Sequence, residues 1–485
     1  ISQWGNDFRP SYQRILGFID GLPARPAVMA LTATATKAVR EDIAGSLGLA
    51  DPFTVVASFD RPNLSFAVEH MQGRAQKDRA LLSFVRQRPE RSGIVYCASR
   101  RAVEETCDLL RDAGLPATRY HAGLASEERQ RNQDDFLYDR TSVMVATNAF
   151  GMGIDKSNVS YVVHYNMPSC LENYYQEAGR AGRDGLPSQC ILLFSPQDIV
   201  INRFLLDHKE NDDLDDEAAD LLRARDNQRL QAMANYCQTT GCLRNYILRY
   251  FGEEPAEPCG SCGNCDREFE EVDMTAQAKW MINCVAETRG RYGKGVVLNT
   301  LRGANMARLR ELGAMDYRSY GQLKDCTRDE LDCLLAQLLE EGYLVQTDDQ
   351  YAVLHMGNIT PLKQGAQVVV KLPPKPEPAE AAPKKHKAGK AAQKGKAALA
   401  GDSADLFEQL RALRMRLAQA EKLPPYLVFG DKTLVDMCAK APRQLEDMKE
   451  IYGMGERKFA KYGKQFFAAI EDYRREHPEA EFTGA

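Results

Sequence analysis

Five short apolar runs between residues 26 and 200 constrain the fold of this chain more than any other feature. Each run is rich in Val and Ile, and polar stretches of helical period separate it from the next. The runs are AVMALTAT, GIVYCAS, SVMVAT, YVVHYN and CILLFS. Buried strands that alternate with helices are typical of a parallel α/β sheet. We therefore expect the chemistry of this region in the loops at the carboxyl ends of the strands.

Different sequence patterns follow this α/β region. The residues directly after it have a helical period and lead into a cluster of cysteines. Residues 275–360 predict helices closed by a hairpin that resembles a wing, with Thr327 and Glu330 at the spacing of a capping box. Residues 373–402 contain Pro, Ala and Lys with almost no large apolar side chain, which is typical of a disordered linker. From residue 403, leucines at helical spacing predict a separate all-α module.

Length, charge and hydropathy limit the class of protein. A chain of 485 residues is too long for one compact core, so we expect three or four domains. The net charge of −5 means that any nucleic-acid site must be local. No run approaches the roughly 18 apolar residues of a spanning helix, so we predict a cytoplasmic protein with no membrane partner. The chain begins at Ile1 inside what reads as a folded segment, and we expect that the natural N-terminus is missing.

The cysteine cluster is the strongest local signal. Most of the thirteen cysteines are scattered singly through apolar stretches, which favours buried reduced thiols. The exception is a group whose members stand at the spacing of metal ligands: Cys242, Cys259, Cys262 and Cys265. Four thiolates leave no open coordination position, so the group predicts a structural zinc ion. Reduced cysteines without a metal are the alternative, and Cys237 lies close enough to compete as a ligand.

Three segments at the ends of apolar runs suggest phosphate chemistry. They are LTATAT (31–36), VMVATNAFGMGIDK (143–156) and YYQEAGRAGRDG (174–185). Small hydroxyls and free backbone N–H groups suit phosphates, although a plain Thr-rich turn gives the same pattern. Arg180 and Arg183 offer planar guanidinium groups that suit a γ-phosphate, whereas a solvated basic loop is the alternative. No GxxxxGK[ST] P-loop occurs in the sequence.

The three segments occur together in the order of motifs III, V and VI of superfamily 2 helicases. With FDRPN (59–63), YHAGL (120–124) and QWGNDFRP (3–10), they make nearly the whole chain similar to the RecQ family. The resemblance implies an ATP-dependent 3′ to 5′ DNA helicase that acts in repair, recombination and replication. It also implies a chain cut just after the DEAH box and inactive in ATP hydrolysis by itself. Zinc is the implied structural cofactor, and ATP and Mg²⁺ belong to the complete enzyme.

The resemblance also assigns residues. Arg183 is the implied arginine finger, with Arg180 and Gln176 at the phosphates, and the parallel stretch CLRNYILRYFGE favours Cys242 as the zinc ligand over Cys237. The implied nucleotide and coupling residues are Thr32, Thr34, Thr147, Gly151 and Asp155. The implied DNA contacts are Trp4, Phe8, Arg9, Arg61, Asn63, Ser99 and Arg100.

The implied architecture combines a RecA-like parallel-sheet lobe with a helical zinc-binding module, a winged helix and an all-α HRDC domain. Its domains are a remnant of the first RecA-like lobe (1–57), the second lobe (58–205), the zinc-binding subdomain (206–272), the winged helix (273–368), a disordered linker (369–402) and the HRDC domain (403–485). Expected partners are single-stranded and duplex or junction DNA in the nucleoid, with single-strand-binding protein or other repair proteins.

Two other functions remain open at this stage. A DEAD-box-like RNA helicase shares the three motifs, but it does not explain the four cysteines or the two modules that follow them. A non-enzymatic zinc and winged-helix DNA-binding protein with a degenerate ATPase lobe is the other alternative. The intact pair Arg180 and Arg183 argues against degeneration.

Overall fold

The computed structural model describes residues 14–32, 34–151, 156–208, 216–255, 257–347, 353–372 and 402–478. Several predictions fall outside these ranges: those for Trp4, Phe8, Arg9, Asp155 and the linker 373–401. The chain divides into two compact units. One, here the cysteine unit, holds the described residues of 14–60, 169–172 and 196–372; the other, the sheet unit, holds those of 61–168, 173–195 and 402–478. No helix in the described ranges is long and apolar enough to cross a membrane.

Helices and strands are interspersed up to residue 207, and helices predominate beyond it. The first part contains α1 (Ile15–Asp20), α2 (Lys37–Ser46), β1 (Leu64–His70), α3 (Arg74–Arg86), β2 (Ser92–Tyr96), α4 (Arg100–Asp112), β3 (Ala117–Tyr120), α5 (Ser126–Leu137), β4 (Val143–Ala146), β5 (Val159–His164), α6 (Leu171–Ala178), β6 (Ser188–Phe194) and α7 (Pro196–Asp207). The second contains α8 (Asp216–Gln238), α9 (Leu243–Tyr250), β7 (Glu270–Asp273), α10 (Thr275–Glu287), α11 (Lys294–Leu301), α12 (Ala307–Glu311), α13 (Arg328–Glu340), β8 (Leu344–Gln346), β9 (Leu354–Met356), α14 (Thr360–Lys363), β10 (Val369–Leu372), α15 (Asp402–Glu421), α16 (Pro425–Val428), α17 (Asp431–Lys440), α18 (Glu456–Lys458) and α19 (Lys464–Glu476).

A six-stranded sheet forms the centre of the sheet unit. Its strand order is β1-β6-β5-β2-β4-β3, and every neighbouring pair is parallel. The predicted parallel α/β sheet is therefore confirmed, and four of the five apolar runs supply β2, β4, β5 and β6. Every residue of β2 and β4 is buried, which explains their continuous apolar sequences. The more polar strands β1 and β3 lie at the sheet edges, and the apolar runs did not predict them.

The remaining apolar run, AVMALTAT, does not form a strand, so this part of the prediction is wrong. Its described residues have no regular structure, and Met29 and Leu31 are 82% and 86% exposed. A strand requires a neighbour for its N–H and C=O groups. No strand of the described residues pairs with this segment.

The cysteine unit ends in a bundle of helices closed by a β-hairpin, as predicted. The antiparallel pair β8 and β9 forms the hairpin, and α10, α11 and α13 surround a core of buried Leu, Val and Met side chains. The predicted capping box is present: Glu330 N–H donates to the Thr327 hydroxyl at 3.2 Å, and Thr327 N–H donates to the Glu330 carboxylate at 2.8 Å.

The strand β10 changes one predicted boundary. We placed the start of the linker at residue 369, but residues 369–372 pair antiparallel with β7. Val370 and Leu372 alternate with exposed residues and are buried, because their side chains face the winged-helix core. The linker prediction therefore begins too early.

The all-α module at residues 402–478 packs its own core in the sheet unit. Leu406, Leu410, Phe429, Phe466 and Ile470 are fully buried in it, so the predicted helical spacing is confirmed. Inside this core, Arg414 donates to the Asp431 carboxylate at 2.6 Å and to the Phe429 carbonyl at 2.9 Å. On its surface, Arg411 pairs with Glu90 of the sheet region at 2.8 Å.

Candidate nucleotide, zinc and DNA sites

The two predicted phosphate-binding arginines lie on a loop between α6 and β6, residues 179–186, here called the arginine loop. Two of its glycines, Gly182 and Gly185, have φ angles of 60° and 82°, where a side chain is strained. Gly182 N–H donates to the carbonyl of Val159 at 2.8 Å, which anchors the loop to the start of β5. The loop therefore has one defined path at the edge of the sheet.

Side chains of the FDRPN segment hold this loop. Arg61 and Asn63 both donate N–H groups to its main-chain carbonyls. The acceptors of Arg61 are Gly179, Ala181 and Gly182, at 3.4, 3.2 and 3.0 Å, and those of Asn63 are Gly182 and Leu186, at 2.8 and 3.0 Å. We predicted these two residues as DNA contacts, and the structure places them against the arginine loop. Sequence reasoning missed this role because the partners are more than 100 positions away in the chain.

Arg180 lies on the backbone of the segment VMVATNAFGMGIDK. It donates to the carbonyl of Gly151 at 2.6 Å, and its positive charge lies near the hydroxyl of Tyr96. Burial raises the pKa of Tyr96, so the phenol stays protonated and donates in turn to the Phe150 carbonyl at 3.0 Å. Gly151 has φ 147°, and a Cβ there would lie 2.0 Å from the Arg180 guanidinium. The structure thus brings together the predicted residues Arg180 and Gly151, and only glycine leaves room for this contact.

Arg183 is exposed, three residues further along the loop. Its neighbour Asp184 accepts an N–H from Leu186 at 3.0 Å, and burial raises the pKa of that carboxyl to about 6. Gln176 is half-buried on α6. Arg180 therefore lies against the fold, whereas Arg183 is exposed.

The predicted threonines lie in two different units. Thr147, after β4, is half-buried, and its N–H donates to the Tyr120 carbonyl at 3.2 Å. Thr32 and Thr34 belong to the cysteine unit, where Thr34 N–H donates to the Thr32 hydroxyl at 3.4 Å. Thr36 caps α2 by accepting from Val39 N–H.

Ser99 and Arg100 are exposed at the carboxyl end of β2. Ser99 is the N-cap of α4 and accepts from Ala102 N–H at 3.2 Å. The N-terminus of a helix favours negative charge, and Arg100 adds a cation in the first turn. These positions suit a phosphate, and their role as DNA contacts stays a prediction.

The four predicted cysteines meet in one cluster. All four Sγ atoms lie within 4.8 Å of one another, with 4.0 Å between Cys259 and Cys265 and between Cys262 and Cys242. Zn–S bonds of about 2.3 Å in a tetrahedron require sulfur atoms about 3.8 Å apart. The thiol positions therefore fit one zinc ion. Cys237, the alternative ligand, is buried in α8 and does not belong to the cluster.

Two main-chain N–H groups donate to sulfur atoms of the cluster. Leu243 N–H donates to Cys262 Sγ at 3.4 Å, and Cys259 N–H donates to Cys242 Sγ at 3.3 Å. The neighbouring Cys262 thiol lowers the pKa of Cys259, whereas the hydrogen bond to Cys259 raises the pKa of Cys262 and burial raises the pKa of Cys265. Arg244 adds a positive charge near Cys259. Sequence analysis missed Arg244, although its place next to the ligand Cys242 is a signal for a charge partner.

Four family models match the chain in consecutive blocks. They are the helicase conserved C-terminal domain at residues 76–185, RecQ zinc-binding at 196–266, the RQC domain at 268–378 and the HRDC domain at 403–470. A parallel-sheet domain that matches the helicase model, followed by a zinc-binding module, places the chain in the class of helicases.

Two bacterial relatives are similar over nearly the whole chain. ATP-dependent DNA helicase RecQ of Bacillus subtilis is 38% identical, and the match covers 98% of this chain and 75% of that protein. The protein of the same name from Pasteurella multocida is 35% identical, with 98% and 72% covered. ATP-dependent helicase wrn-1 of Caenorhabditis elegans is 32% identical over 71% of this chain and 34% of its own length. The chain belongs to the RecQ family.

The four-cysteine cluster predicts one structural zinc ion per chain. Zinc binding supplies roughly 10–16 kcal/mol in small zinc peptides, so the folding of this module should depend on the metal. Cys262→Ser should bind much less than one zinc per chain and should unfold at lower temperature. Elemental analysis and thermal denaturation measure these two effects. Cys237→Ala is the matched control and should keep one zinc; full zinc and stability in Cys262→Ser would disprove the assignment.

Proposed function

We propose that this chain supplies the second motor lobe, the arginine finger and the DNA-holding modules of an ATP-dependent 3′ to 5′ DNA helicase. The observation that carries this proposal is the contact of Arg180 with Gly151, which joins the two predicted nucleotide segments, together with the exposed position of Arg183. The names of the RecQ relatives, which are ATP-dependent DNA helicases, support it.

Arg183 acts as the arginine finger in this proposal. During phosphoryl transfer, charge spreads over the three outer oxygens of the γ-phosphate, and a planar cation stabilises that charge. Arg180 contributes at the phosphates from its place on Gly151, with Gln176 nearby on α6. Thr147 and Asp155 would relay the state of the nucleotide to the DNA. A P-loop and an acidic box for Mg²⁺ are also required, and the 485 residues contain no P-loop motif.

DNA binding is the second part of the proposal. Ser99 and Arg100 would contact a phosphate at the start of α4, and the winged helix would hold the duplex. Trp4 and Phe8 would stack on unpaired bases, with Arg9 beside them, since aromatic side chains bind single strands in this way. We place the protein on chromosomal DNA, with single-strand-binding protein or other repair proteins as partners.

A non-enzymatic DNA-binding protein is the competing function. A Cβ at position 151 would overlap the Arg180 guanidinium, so the glycine and the arginine of the two nucleotide segments fit each other. The contact between Gly151 and Arg180 therefore favours an active motor. A DEAD-box-like RNA helicase does not account for the four-cysteine cluster.

Arg183→Ala tests the arginine finger. In a helicase that combines this chain with a P-loop-bearing lobe, the substitution should lower kcat for ATP on the order of 10³-fold. Nucleotide affinity should change little, because the finger acts on charge that develops during transfer. Arg183→Lys keeps the charge but loses the planar fork, and it should also be strongly impaired. Arg131→Ala, at an exposed position on α5, is the control; unchanged turnover in Arg183→Ala would show that another residue is the finger.

Gly151→Ala tests the contact between Arg180 and the backbone at position 151. The new Cβ would displace the guanidinium, and a displacement of about 1 Å can cost 10²-fold in rate. We expect a loss of kcat for ATP on that order in the same assay. Gly73→Ala is a matched control, since Gly73 has φ 143° but nothing lies within 4 Å of its added Cβ. Equal losses in the two variants would indicate backbone strain alone and would contradict the proposed role of Arg180.

The 485-residue chain should bind DNA but should not hydrolyse ATP. Binding to duplex–single-strand junctions should weaken steeply between 50 and 200 mM salt, because phosphate contacts release counterions. Fluorescence anisotropy with labelled junctions measures the affinity, and phosphate release with saturating single-stranded DNA measures turnover. Salt-independent binding would contradict the phosphate contacts. Turnover that Arg183→Ala abolishes would reveal a nucleotide site without a P-loop.

A further inference from the structure

Two buried rings stand side by side at the carboxyl edge of the six-stranded sheet. Tyr96 ends β2 and His164 ends β5, and the two residues are partners in the register of these parallel strands. Their ring centroids are 5.5 Å apart, with an angle of 22° between the planes. Tyr96 is 3% exposed and His164 is 0% exposed. The sheet therefore fixes the position of both rings.

Each of these rings holds one of the two predicted nucleotide segments. The Tyr96 hydroxyl donates to the carbonyl of Phe150, in the segment VMVATNAFGMGIDK, at 3.0 Å. His164 Nε2 lies 2.9 Å from a carboxylate oxygen of Glu177, which is in the last turn of α6. Because a carboxylate accepts hydrogen bonds, the His164 Nε2–H is the donor of this pair. The end of α6 is thus attached to the end of β5.

Glu177 is connected directly to the arginine loop. The Arg180 main-chain N–H donates to the Glu177 carbonyl at 3.2 Å, and the Arg180 guanidinium donates to the Gly151 carbonyl at 2.6 Å. Together with the hydrogen bonds of the two rings, these contacts form a closed cycle within the sheet unit. The position of Arg180 is therefore set from two sides, by the backbone at Gly151 and by the end of α6.

Packing alone does not explain a histidine at position 164. Its ring lies against Tyr174, with centroids 4.8 Å apart. The Nδ1 atom of His164 is buried and has no hydrogen-bond partner among the residues that the structure describes. A buried polar atom without a partner lowers stability, and an apolar ring of similar size would avoid that loss. The imidazole is therefore explained by its other nitrogen, Nε2, and by the contact with Glu177.

We propose that His164 and Glu177 are a positioning pair for ATP hydrolysis, whose hydrogen bond fixes the start of the arginine loop. The catalytic consequence rests on the proposed function, whereas the positioning of the loop does not. With the pair intact, Arg180 keeps its contact with Gly151. Without it, the last turn of α6 can shift away from β5, and the loop that carries Arg180 and Arg183 shifts with it. Neither residue of the pair touches a phosphate.

Two substitutions of His164 separate the hydrogen bond from the loss of the ring. The amide nitrogen of Gln can take the place of Nε2, so His164→Gln keeps a donor to Glu177. Asn is one carbon shorter and reaches only the place of Nδ1, so His164→Asn loses that donor with the same functional group. In the 485-residue chain, amides of residues 179–186 should exchange about tenfold faster in His164→Asn, because a hydrogen bond to a charged group is lost. His164→Gln should stay near the parent, as measured by hydrogen exchange with mass spectrometry.

Leu81→Ala controls for a general loss of stability. Leu81 is 0% exposed on α3, and none of the contacts of the cycle involves it. Its truncation leaves a cavity in the core and lowers stability, but exchange in the arginine loop should stay at the parental rate. Unchanged loop exchange in His164→Asn, or an equal increase in Leu81→Ala, would overturn the proposal.

Substitutions of Glu177 test the same hydrogen bond from the other side. Glu177→Ala removes the acceptor and should speed loop exchange as much as His164→Asn does, whereas Glu177→Gln keeps an acceptor oxygen and should not. The double variant with Ala and Asn should add little, because both changes remove one and the same hydrogen bond. Additive effects would contradict the pair. If His164→Asn does not fold, Glu177→Ala and Glu177→Gln give the same comparison.

Kinetics separate this inference from the proposed function. In the helicase with a P-loop-bearing lobe, His164→Asn should lower kcat for ATP about tenfold at unchanged KM, and His164→Gln should keep most of the parental kcat. Equal losses of kcat in these two variants, or the same loss in Leu81→Ala, would refute the positioning role. If the parent helicase has no ATP turnover, the proposed function fails, whereas the exchange data still decide whether the pair positions the arginine loop.

Discussion

The parallel pairing of β2 with both β4 and β5 is the constraint on which the candidate nucleotide site depends. Parallel strands end at the same edge of a sheet, so the loops that follow them must meet there. The order of the six strands places the loop after β4, with Gly151, next to Tyr96 at the end of β2. Arg180 therefore lies within hydrogen-bonding distance of the Gly151 carbonyl. The sheet thus brings together the two loops that this contact joins.

A buried ion pair in the sheet unit lies at the end of the segment that contains Gly151. The Lys156 ammonium binds the Asp139 carboxylate, and their side chains are 0% and 5% exposed. Burial lowers the pKa of Lys156, while the pKa of Asp139 is lowered by that lysine against the opposing effect of its own burial. Removing one partner of such a pair strongly destabilises the fold, because the other charge stays buried without compensation. Lys156 therefore fixes the end of the segment that contains Gly151.

The zinc module depends on a metal ion for the stability of its fold. Its helix α9 has only eight residues, and a segment of this size buries too little apolar surface to define one conformation. Four thiolates around one ion replace that missing core, so the folding of this module depends on the metal.

The sequence by itself determined the features that depend on residues close together in the chain. The apolar runs predicted four of the six strands, the cysteine spacing predicted the zinc ligands, and the pair Thr327 and Glu330 predicted a helix start. Each depends on a period or spacing of residues that are close together in the sequence, so distant residues are not needed to predict it. For the same reason the linker and the QWGNDFRP segment could be interpreted from sequence alone, although they lie outside the described residues.

Only the tertiary structure decided which distant groups meet. Arg61 lies 118 residues from Gly179, and Asp60 lies 184 residues from Arg244, so no local pattern could pair them. The run AVMALTAT has the composition of a strand but no neighbour among the described residues, and strand formation requires hydrogen bonds from another strand. Local sequence sets what a segment prefers, whereas the path of the whole chain decides what it touches.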